Sequence, residues 1–285
     1  SGGTGYLLTL DGLLGGHSGA EIHKGRASAN QTMGRVLYSA MERFPGLRLA
    51  GIQGGEFDNV ICPANQAAVA LSPDQAAEFE DFIQTFDGTL KNEYAGCDDG
   101  ITLTCEKTAL EQALSAQDTS RILHALLALP QGVQAMNVDF PGLVQTSLNL
   151  GVMTMEADGL HFSISVRSCI ASQKEMLVQR IGAIVETGGG SVSRRGDYPG
   201  WQYDRQSVLR EDILAAYKAV SGREGTIEAT HGGLECGLFV EKIPGLDAVS
   251  AGPELHDVHS FQEKLSVSST KLVYEMTCEL LKRSR

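Results

Sequence analysis

The sequence lacks the features by which nucleic-acid-binding and membrane-spanning proteins are usually recognised. Lysine and arginine number 23 against 35 aspartate and glutamate residues, which gives a formal net charge of −12. An acidic surface repels the phosphate backbone of nucleic acids. No run of about 18 apolar residues is present, so the sequence offers no membrane-spanning helix. We therefore expect neither a nucleic-acid partner nor a membrane partner.

Familiar redox and hydrolase motifs are also missing. The six cysteines include no C-x-x-C pair, and a chain of 285 residues is large for a disulfide-stabilised scaffold. Reduced thiols and a cytoplasmic location are the simplest interpretation. The H-E-x-x-H motif of many zinc peptidases and the G-x-S-x-G nucleophile elbow are both absent. The chemistry of this chain, if it has any, must therefore come from another pattern.

The first part of the chain alternates between strand and helix patterns. Residues 1–5 indicate a short linker or remnant. The order that follows is β-α-β-β-α-β, which is typical of ferredoxin-like folds. The predicted elements are strand Tyr6–Leu10, helix Ala27–Phe44, strands Leu47–Gln53 and Val60–Leu71, a helix from Ser72 to about Lys91, and strand Gly100–Glu106.

A second group of elements follows and predicts a similar unit. It consists of a helix capped by Asp118-Thr119-Ser120 and ending at Leu129, a hairpin of Ser147–Glu156 and Leu160–Arg167, helix Ser172–Thr187 and strand Ser191–Gly196. Residues 6–200 are thus expected to form one α+β domain built from two ferredoxin-like units.

Residues 201–285 contain few elements for a complete domain. The pattern predicts helix Val208–Val220, strand Thr226–Ala229, a glycine-rich loop at His231–Gly237, strand Ala248–Ala251 and helix Ser269–Lys282. Two strands and two or three helices resemble the C-terminal part of a larger, mostly parallel α/β sheet.

Four places in the sequence carry residues suited to chemistry. His17 is flanked by glycines, Arg167 ends a predicted strand, His231 opens a glycine-rich loop, and His259 lies in a late loop. Glycines let the backbone approach a ligand closely, and arginine binds carboxylates bidentately. By composition alone, however, His17 also suits an exposed turn and Arg167 a surface ion pair. One histidine cannot form a zinc site, which needs three or four ligands.

Six segments of the chain match the motifs of one family, in the same order along the chain. The first is Gly15–Asn30, GGHSGAEIHKGRASAN, which has the form G-G-H-S-G-x-x-I-H-x-G-R-x-x-A-N. The other segments are PGLVQTSLNLGV at Pro141–Val152, ISVRS at Ile164–Ser168, YPGW at Tyr198–Trp201, HGGLECGLF at His231–Phe239 and GPELHDVHSFQEK at Gly252–Lys264. Together they resemble the aminoacyl-histidine (Xaa-His) dipeptidases of the M20 clan of dizinc metallopeptidases, in which the first segment opens a lid, and the resemblance covers nearly the whole chain.

The resemblance implies a fold and a set of roles. In this family a lid, which also forms dimers, interrupts a catalytic α/β domain that binds two zinc ions, with manganese or cobalt as alternatives. Residues 6–200 then correspond to the lid and residues 201–285 to the C-terminal catalytic segment. The roles implied are oxyanion stabilisation for His17, the substrate carboxylate clamp for Arg167, the substrate shell for Gly232, Gly233, Asn30 and Asn149, and zinc coordination for His259.

The sequence also departs from the family pattern. Leu148 stands where the family usually has asparagine, and Phe261 and Gln262 replace the usual proline and aspartate. Most zinc ligands of the family precede the lid, and His259 alone of the usual five is present here. We therefore expect a fragment of a dipeptidase, able to form a homodimer through its lid but inactive by itself, from a parent enzyme that hydrolyses dipeptides such as Xaa-His.

Three alternatives stay open at this point. The chain could be a non-catalytic dimerisation or binding module derived from a peptidase, a metal-free regulator of the same descent, or part of an enzyme whose N-terminal half is a separate chain. Retention of His17 and Arg167 favours descent from an active enzyme, because a module that only dimerises has no use for them.

Overall fold

The computed structural model describes residues 3–229, 234–257 and 261–283. The chain divides into two compact units, Ser1–Gly196 and Asp197–Arg285, called the N-terminal and C-terminal units below. Within the described residues, no helix has the length and apolar character needed to cross a membrane.

The N-terminal unit is a two-layer α/β structure with one seven-stranded antiparallel sheet. Its strands are β1 (Thr4–Asp11), β2 (Gly16–His17), β3 (Arg48–Gly54), β4 (Val60–Ile61), β5 (Asn65–Leu71), β6 (Thr102–Thr108), β7 (Gly132–Met136), β8 (Val144–Glu156) and β9 (Gly159–Ser168). Its helices are α1 (Ala29–Arg43), α2 (Ala76–Glu93), α3 (Ala116–Ala128) and α4 (Ala171–Thr187). Strands β2 and β4 pair with each other outside the main sheet.

The ferredoxin-like order predicted for the first group is confirmed. The strands run β6-β1-β5-β3 across the sheet, and β5 is antiparallel to both β1 and β3. Strands β1 and β3 are therefore parallel to each other, with α1 connecting them and β5 between them. This is the split β-α-β arrangement that the sequence order indicated.

The second group of elements extends the same sheet rather than forming a separate one. Strand β8 pairs with β9 along nearly its whole length, while β3 and β7 pair with different parts of β8 on its other side. The predicted strand Ser191–Gly196 is wrong, since these residues are irregular. The predicted cap of α3 was also misplaced, because the hydroxyl of Ser115 accepts the N–H of Asp118 at 3.1 Å.

The predicted strand Val60–Leu71 is interrupted. The structure forms β4 and β5 separately, with Cys62, Pro63 and Ala64 between them. Proline has no N–H to give to a ladder and is disfavoured inside a paired strand. The interruption lets β4 leave the main sheet and pair with β2, which carries His17.

The hydrophobic core lies between the sheet and the helices. Tyr6, Leu8 and Leu10 alternate along β1 and are at most 1% exposed. Phe44, which follows α1, packs edge-on against Phe79 of α2 at a ring-centroid distance of 5.5 Å. Full burial of each such side chain contributes roughly 1.5–3 kcal/mol, so this layer fixes the sheet on which the candidate site is built.

The C-terminal unit is mainly helical. It contains α5 (Val208–Ser221), α6 (Glu235–Lys242), α7 (Val267–Arg283) and a short ladder of β10 (Leu255–His256) with β11 (Lys264–Leu265). Helix α5 packs against α7. The Ser207 hydroxyl caps α5 by accepting the N–H of Arg210 at 3.0 Å and donates to Asp247 at 2.6 Å. The predicted helices at Val208–Val220 and Ser269–Lys282 are confirmed within a few residues.

The two strands predicted in this unit are wrong. Thr226–Ala229 and Ala248–Ala251 are irregular, and the end of the predicted loop His231–Gly237 is already part of α6. A strand exists only with a neighbour to which its backbone can bond. In the part of this unit that the structure describes, β10 and β11 form the only ladder, so neither apolar segment has such a neighbour.

Candidate active site

The loop that carries His17 is shaped by two glycines. Gly15 and Gly16 have φ values of +62° and +128°, a region that side-chain-bearing residues rarely adopt. A Cβ at Gly16 would also lie 2.3 Å from Nη1 of Arg26. The loop then pairs Gly16 with Ile61 and His17 with Val60, and the N–H of Ser18 donates to the carbonyl of Asn59 at 2.8 Å. The His17 backbone is thereby fixed against residues 59–61.

The imidazole of His17 is held in one tautomer. The backbone N–H groups of Gly19 and Ala20 each donate to Nδ1 of His17 at 3.1 Å. Nδ1 is therefore the unprotonated nitrogen, and the neutral ring carries its proton on Nε2. The side chain is exposed. His17 consequently presents an N–H donor to whatever occupies the adjacent space.

Glu21 braces the same loop. Its carboxylate accepts the backbone N–H of His17 at 3.0 Å and pairs with Lys24 at 2.7 Å and Arg26 at 3.1 Å. The hydrogen bonds from Lys24 and from the His17 backbone lower the pKa of Glu21 to about 2. Arg26 in turn donates to the carbonyl of Gly15 at 2.5 Å. These contacts close the loop on itself around His17.

Arg167 lies beside His17. Arg167 is on β9, opposite Ser147 of β8, and its side chain is half-buried. Its Nε is buried and has no hydrogen-bond partner among the described residues. A Cβ built on Gly19 would lie 2.8 Å from Cε1 of His17 and 3.4 Å from Cζ of Arg167. The absence of a side chain at Gly19 therefore leaves room where the imidazole and the guanidinium come together.

Asn149 lies inside the protein and supports the loop. It is 1% exposed, and its Nδ2 donates to the carbonyls of Asp58 at 2.9 Å and Val60 at 2.7 Å. Its Oδ1 accepts from Nε2 of Gln131 at 3.0 Å. Both Nδ2 hydrogens and one lone pair of Oδ1 are thus used inside the protein, and these bonds hold β4, which pairs with the strand that carries His17.

Asn30 is also internal. It is fully buried, and its Nδ2 lies 3.1 Å from the carbonyl of Leu150 and 3.3 Å from that of Gly151. These two carbonyls belong to the stretch of β8 between the parts that pair with β3 and β7. The Asn30 amide therefore replaces a missing ladder partner. Its geometry supports a structural role and not contact with a substrate.

The remaining candidates lie outside the described residues. Gly232, Gly233 and His259 fall in the segments 230–233 and 258–260, for which no structure is described. Among described residues, one group has three potential metal ligands close together, namely Glu156, Asp158 and His161. All three are exposed at the β8–β9 turn, at the opposite end of β9 from Arg167. The described residues therefore do not fit a dizinc centre.

The hydrogen bond between Asp158 and His161 has no apparent part in this site. It measures 2.9 Å, and it raises the pKa of His161 while lowering that of Asp158. Both side chains are largely exposed, so the pair is screened by solvent and typical of surface ion pairs.

Sequence reasoning missed the residues that support His17. Glu21 follows His17 by four positions in a loop, where spacing has no fixed geometric meaning. Gly19 stands in the sequence only as part of the motif, and its position between His17 and Arg167 depends on β9, far away in sequence. The one available signal is the occurrence of Glu21 and Arg26 in the same glycine-rich segment, and this signal is weak by itself.

The comparisons with known proteins agree with the motifs. Residues 8–97 match the family model M20_dimer, described as a peptidase dimerisation domain. Over 278 residues, 97% of this chain, the sequence is 34% identical to the cytosol non-specific dipeptidase of Escherichia coli (strain K12) and covers 57% of that protein. The crystal structure of aminoacylhistidine dipeptidase from Vibrio alginolyticus matches 99% of this chain with a TM-score of 0.92 and 33% identity, and 58% of that chain is covered.

These findings confirm the resemblance and the mixed α/β fold inferred from the sequence. The chain spans a little more than half the length of the relatives it matches. The similarity by itself therefore does not assign an activity, a substrate or a partner to this chain.

Proposed function

Because this chain carries an M20 peptidase dimerisation domain and is similar to dipeptidases over nearly its whole length, we propose that the complete protein hydrolyses dipeptides. The observation that carries the proposal is the convergence of His17 and Arg167 at Gly19. There, the imidazole of His17 and the guanidinium of Arg167 both border the space left by the missing side chain of Gly19.

The two groups suit the two oxygen-bearing ends of a bound dipeptide. Arg167 would bind the C-terminal carboxylate in a bidentate manner, because a guanidinium presents paired N–H donors in a fixed planar fork. Nε2–H of His17 would donate to the scissile carbonyl oxygen as it becomes an oxyanion. In a dipeptide only one residue separates these groups, about 3.8 Å along the chain, and every further residue adds about 3.3–3.6 Å. Neighbouring donors therefore favour a dipeptide over longer peptides.

The proposal leaves metal binding to residues beyond those described. The resemblance implies two zinc ions, with His259 as one ligand, and the ions would activate the attacking water when bound. The described residues of this chain bind and orient the substrate and stabilise negative charge. We further propose that the protein forms a homodimer through the dimerisation domain. We also propose that it acts in the cytoplasm, where thiols stay reduced, which agrees with six cysteines that are all free.

The experiment that tests the proposal compares free and capped dipeptides. The complete protein is assayed with Gly-His and β-Ala-His and with the same dipeptides carrying a C-terminal amide. We expect the free acids to be strongly preferred, and Arg167→Ala to remove that preference by weakening binding of the free acids only. Arg121→Ala is the matched control, because Arg121 is a half-exposed arginine paired with Asp118 on α3.

Two outcomes would contradict the proposal. No hydrolysis of any dipeptide by the complete protein, with tight binding retained, would favour the non-catalytic binding module. Equal rates on acids and amides would show that Arg167 does not bind the carboxylate.

A further inference from the structure

The loop that carries His17 is held at both ends by a single buried carboxylate, Asp98. This side chain is 1% exposed. Its Oδ1 accepts the backbone N–H of Leu14 at 2.7 Å, and its Oδ2 accepts the backbone N–H of Ala27 at 2.7 Å. Leu14 precedes the glycines that lead to His17, and Ala27 follows Arg26 and leads into α1.

Asp98 is itself held firmly by the helix that precedes it. It lies in the turn after α2, where its N–H donates to the carbonyl of Tyr94 at 2.9 Å and its carbonyl accepts the N–H of Ile101 at 3.0 Å. Helix α2 packs into the core through Phe79, Ile83 and Leu90. The carboxylate thus fixes both ends of the loop relative to α2.

We propose that Asp98 is a positioning residue that sets the His17 donor in place for catalysis. The inference rests on the proposed function of His17. Burial of a carboxylate is costly unless its oxygens accept hydrogen bonds, and both oxygens of Asp98 do so on the same loop. An amide cannot replace it, because an asparagine at this position would place an NH₂ donor opposite one of the two backbone N–H groups.

His17 and Arg167 are held by different elements, so loss of Asp98 should affect them differently. Asp98 holds the loop of His17, whereas Arg167 belongs to β9 and does not depend on that loop for its backbone position. Asp98→Asn should therefore lower kcat by about 10-fold, the loss that one unsatisfied buried hydrogen bond represents, with KM changed less than about 2-fold. Asp99→Asn is the matched control, because Asp99 is exposed and accepts the N–H of Gly96 within its own turn.

A double-mutant cycle separates positioning from general weakening of the fold. If Asp98 acts through His17, Asp98→Asn should have no further effect on kcat once His17→Ala is present. Additive losses, or a rise in KM equal to the fall in kcat, would overturn the proposal.

Amide hydrogen exchange on the 285-residue chain gives a readout that needs no activity. In Asp98→Asn the amides of Gly19 and Ala20, which are bonded to the His17 ring, should exchange about 10-fold faster, while the β1–β5 ladder is unchanged. Unchanged protection at Gly19 and Ala20, or equal loss across the sheet, would refute the inference. If the complete protein hydrolyses no dipeptide, the proposed function fails, while this exchange experiment still decides whether Asp98 positions His17.

Discussion

At the residue scale, the chemistry of this site depends on how two side chains are prepared for a ligand. His17 has its Nδ1 occupied by two backbone N–H donors, so only Nε2–H points outward. Arg167 keeps a buried Nε that has no partner among the described residues. A histidine free in solution would be solvated and would exchange between its two neutral tautomers. The backbone N–H groups of Gly19 and Ala20 supply the preorganisation of the His17 ring.

Removal of the His17 donor should affect the chemical step more than substrate binding. We predict that His17→Ala in the complete protein lowers kcat for Gly-His by about 10²–10³-fold, with little change in KM, because an oxyanion donor acts mainly in the transition state. Steady-state kinetics check this. His23→Ala is the control, since His23 is an exposed histidine of the same loop. A change in KM alone would contradict the role given to His17.

The depressed pKa of Glu21 predicts how the loop responds to acid. The folded-state pKa is about 2, against an ordinary value of 4.5. The contribution of Glu21 to stability is therefore fully present above pH 4.5 and is lost as the pH falls towards 2. Side-chain carboxyl NMR should show Glu21 titrating near pH 2. Glu21→Gln should reduce the difference in stability between about pH 6 and about pH 2.5, and an unchanged difference would contradict the prediction.

At the element scale, a gap in the sheet lies under the segment that pairs with the strand of His17. Strands β3 and β7 leave residues 149–152 of β8 without a ladder partner on one side, and the side-chain amides of Asn30 and Gln131 bond to the unpaired backbone there. The segment 55–61 packs over the same gap, so close to Gly151 that a Cβ there would lie 2.5 Å from Cα of Asp58. This segment carries β4, which in turn pairs with the His17 strand.

Gly55 is the glycine on which this close packing most depends. It has a φ of +77°, and a Cβ there would lie 1.8 Å from the carbonyl oxygen of Gly151. Gly96 has a φ of +80° with nothing within 4 Å. Gly96→Ala should cost about 1–2 kcal/mol from backbone conformation alone, and Gly55→Ala about 1–3 kcal/mol more from the collision. Urea denaturation of the two variants measures the difference, and equal losses would show that the segment moves freely.

At the scale of the whole molecule, the two units differ in how much apolar surface they bury. The N-terminal unit has a continuous sheet with a helical layer over a large core. The C-terminal unit has three helices and one two-residue ladder among its described residues, and it exposes large apolar side chains such as Val208, Tyr274 and Leu281. The chain covers 57% of the Escherichia coli relative and 58% of the Vibrio alginolyticus relative.

This difference predicts the behaviour of the chain by itself. We expect the complete protein to bind about two zinc ions and to hydrolyse Gly-His, and the 285-residue chain to do neither, because the described residues do not assemble a dizinc site. Metal analysis after dialysis, combined with an assay of both proteins, checks this. Two zinc ions and activity in the 285-residue chain would show that the ligands lie within it.

The sequence by itself determined the helices and the motif loops. Helices α1, α2, α4, α5 and α7 follow from apolar periodicity and local end signals, because the hydrogen bonds of a helix lie within the helix. The glycines around His17 marked its loop as a place where the backbone can approach a ligand closely. The order of β1, β3, β5 and β6 followed from the alternation of strand and helix patterns.

Only the tertiary structure decided which strands exist and which side chains meet. Thr226–Ala229 and Ala248–Ala251 have strand-like sequences but no ladder partner in the described residues, and Asn30 and Asn149 occur in site motifs yet lie in the interior. His17, Arg167 and Asp98 come from three distant segments, so no local pattern relates them. Pairing and burial are set by residues far apart in the chain, which is why the sequence singled out His17 and Arg167 as candidates, while only the fold related them to each other and to Asp98.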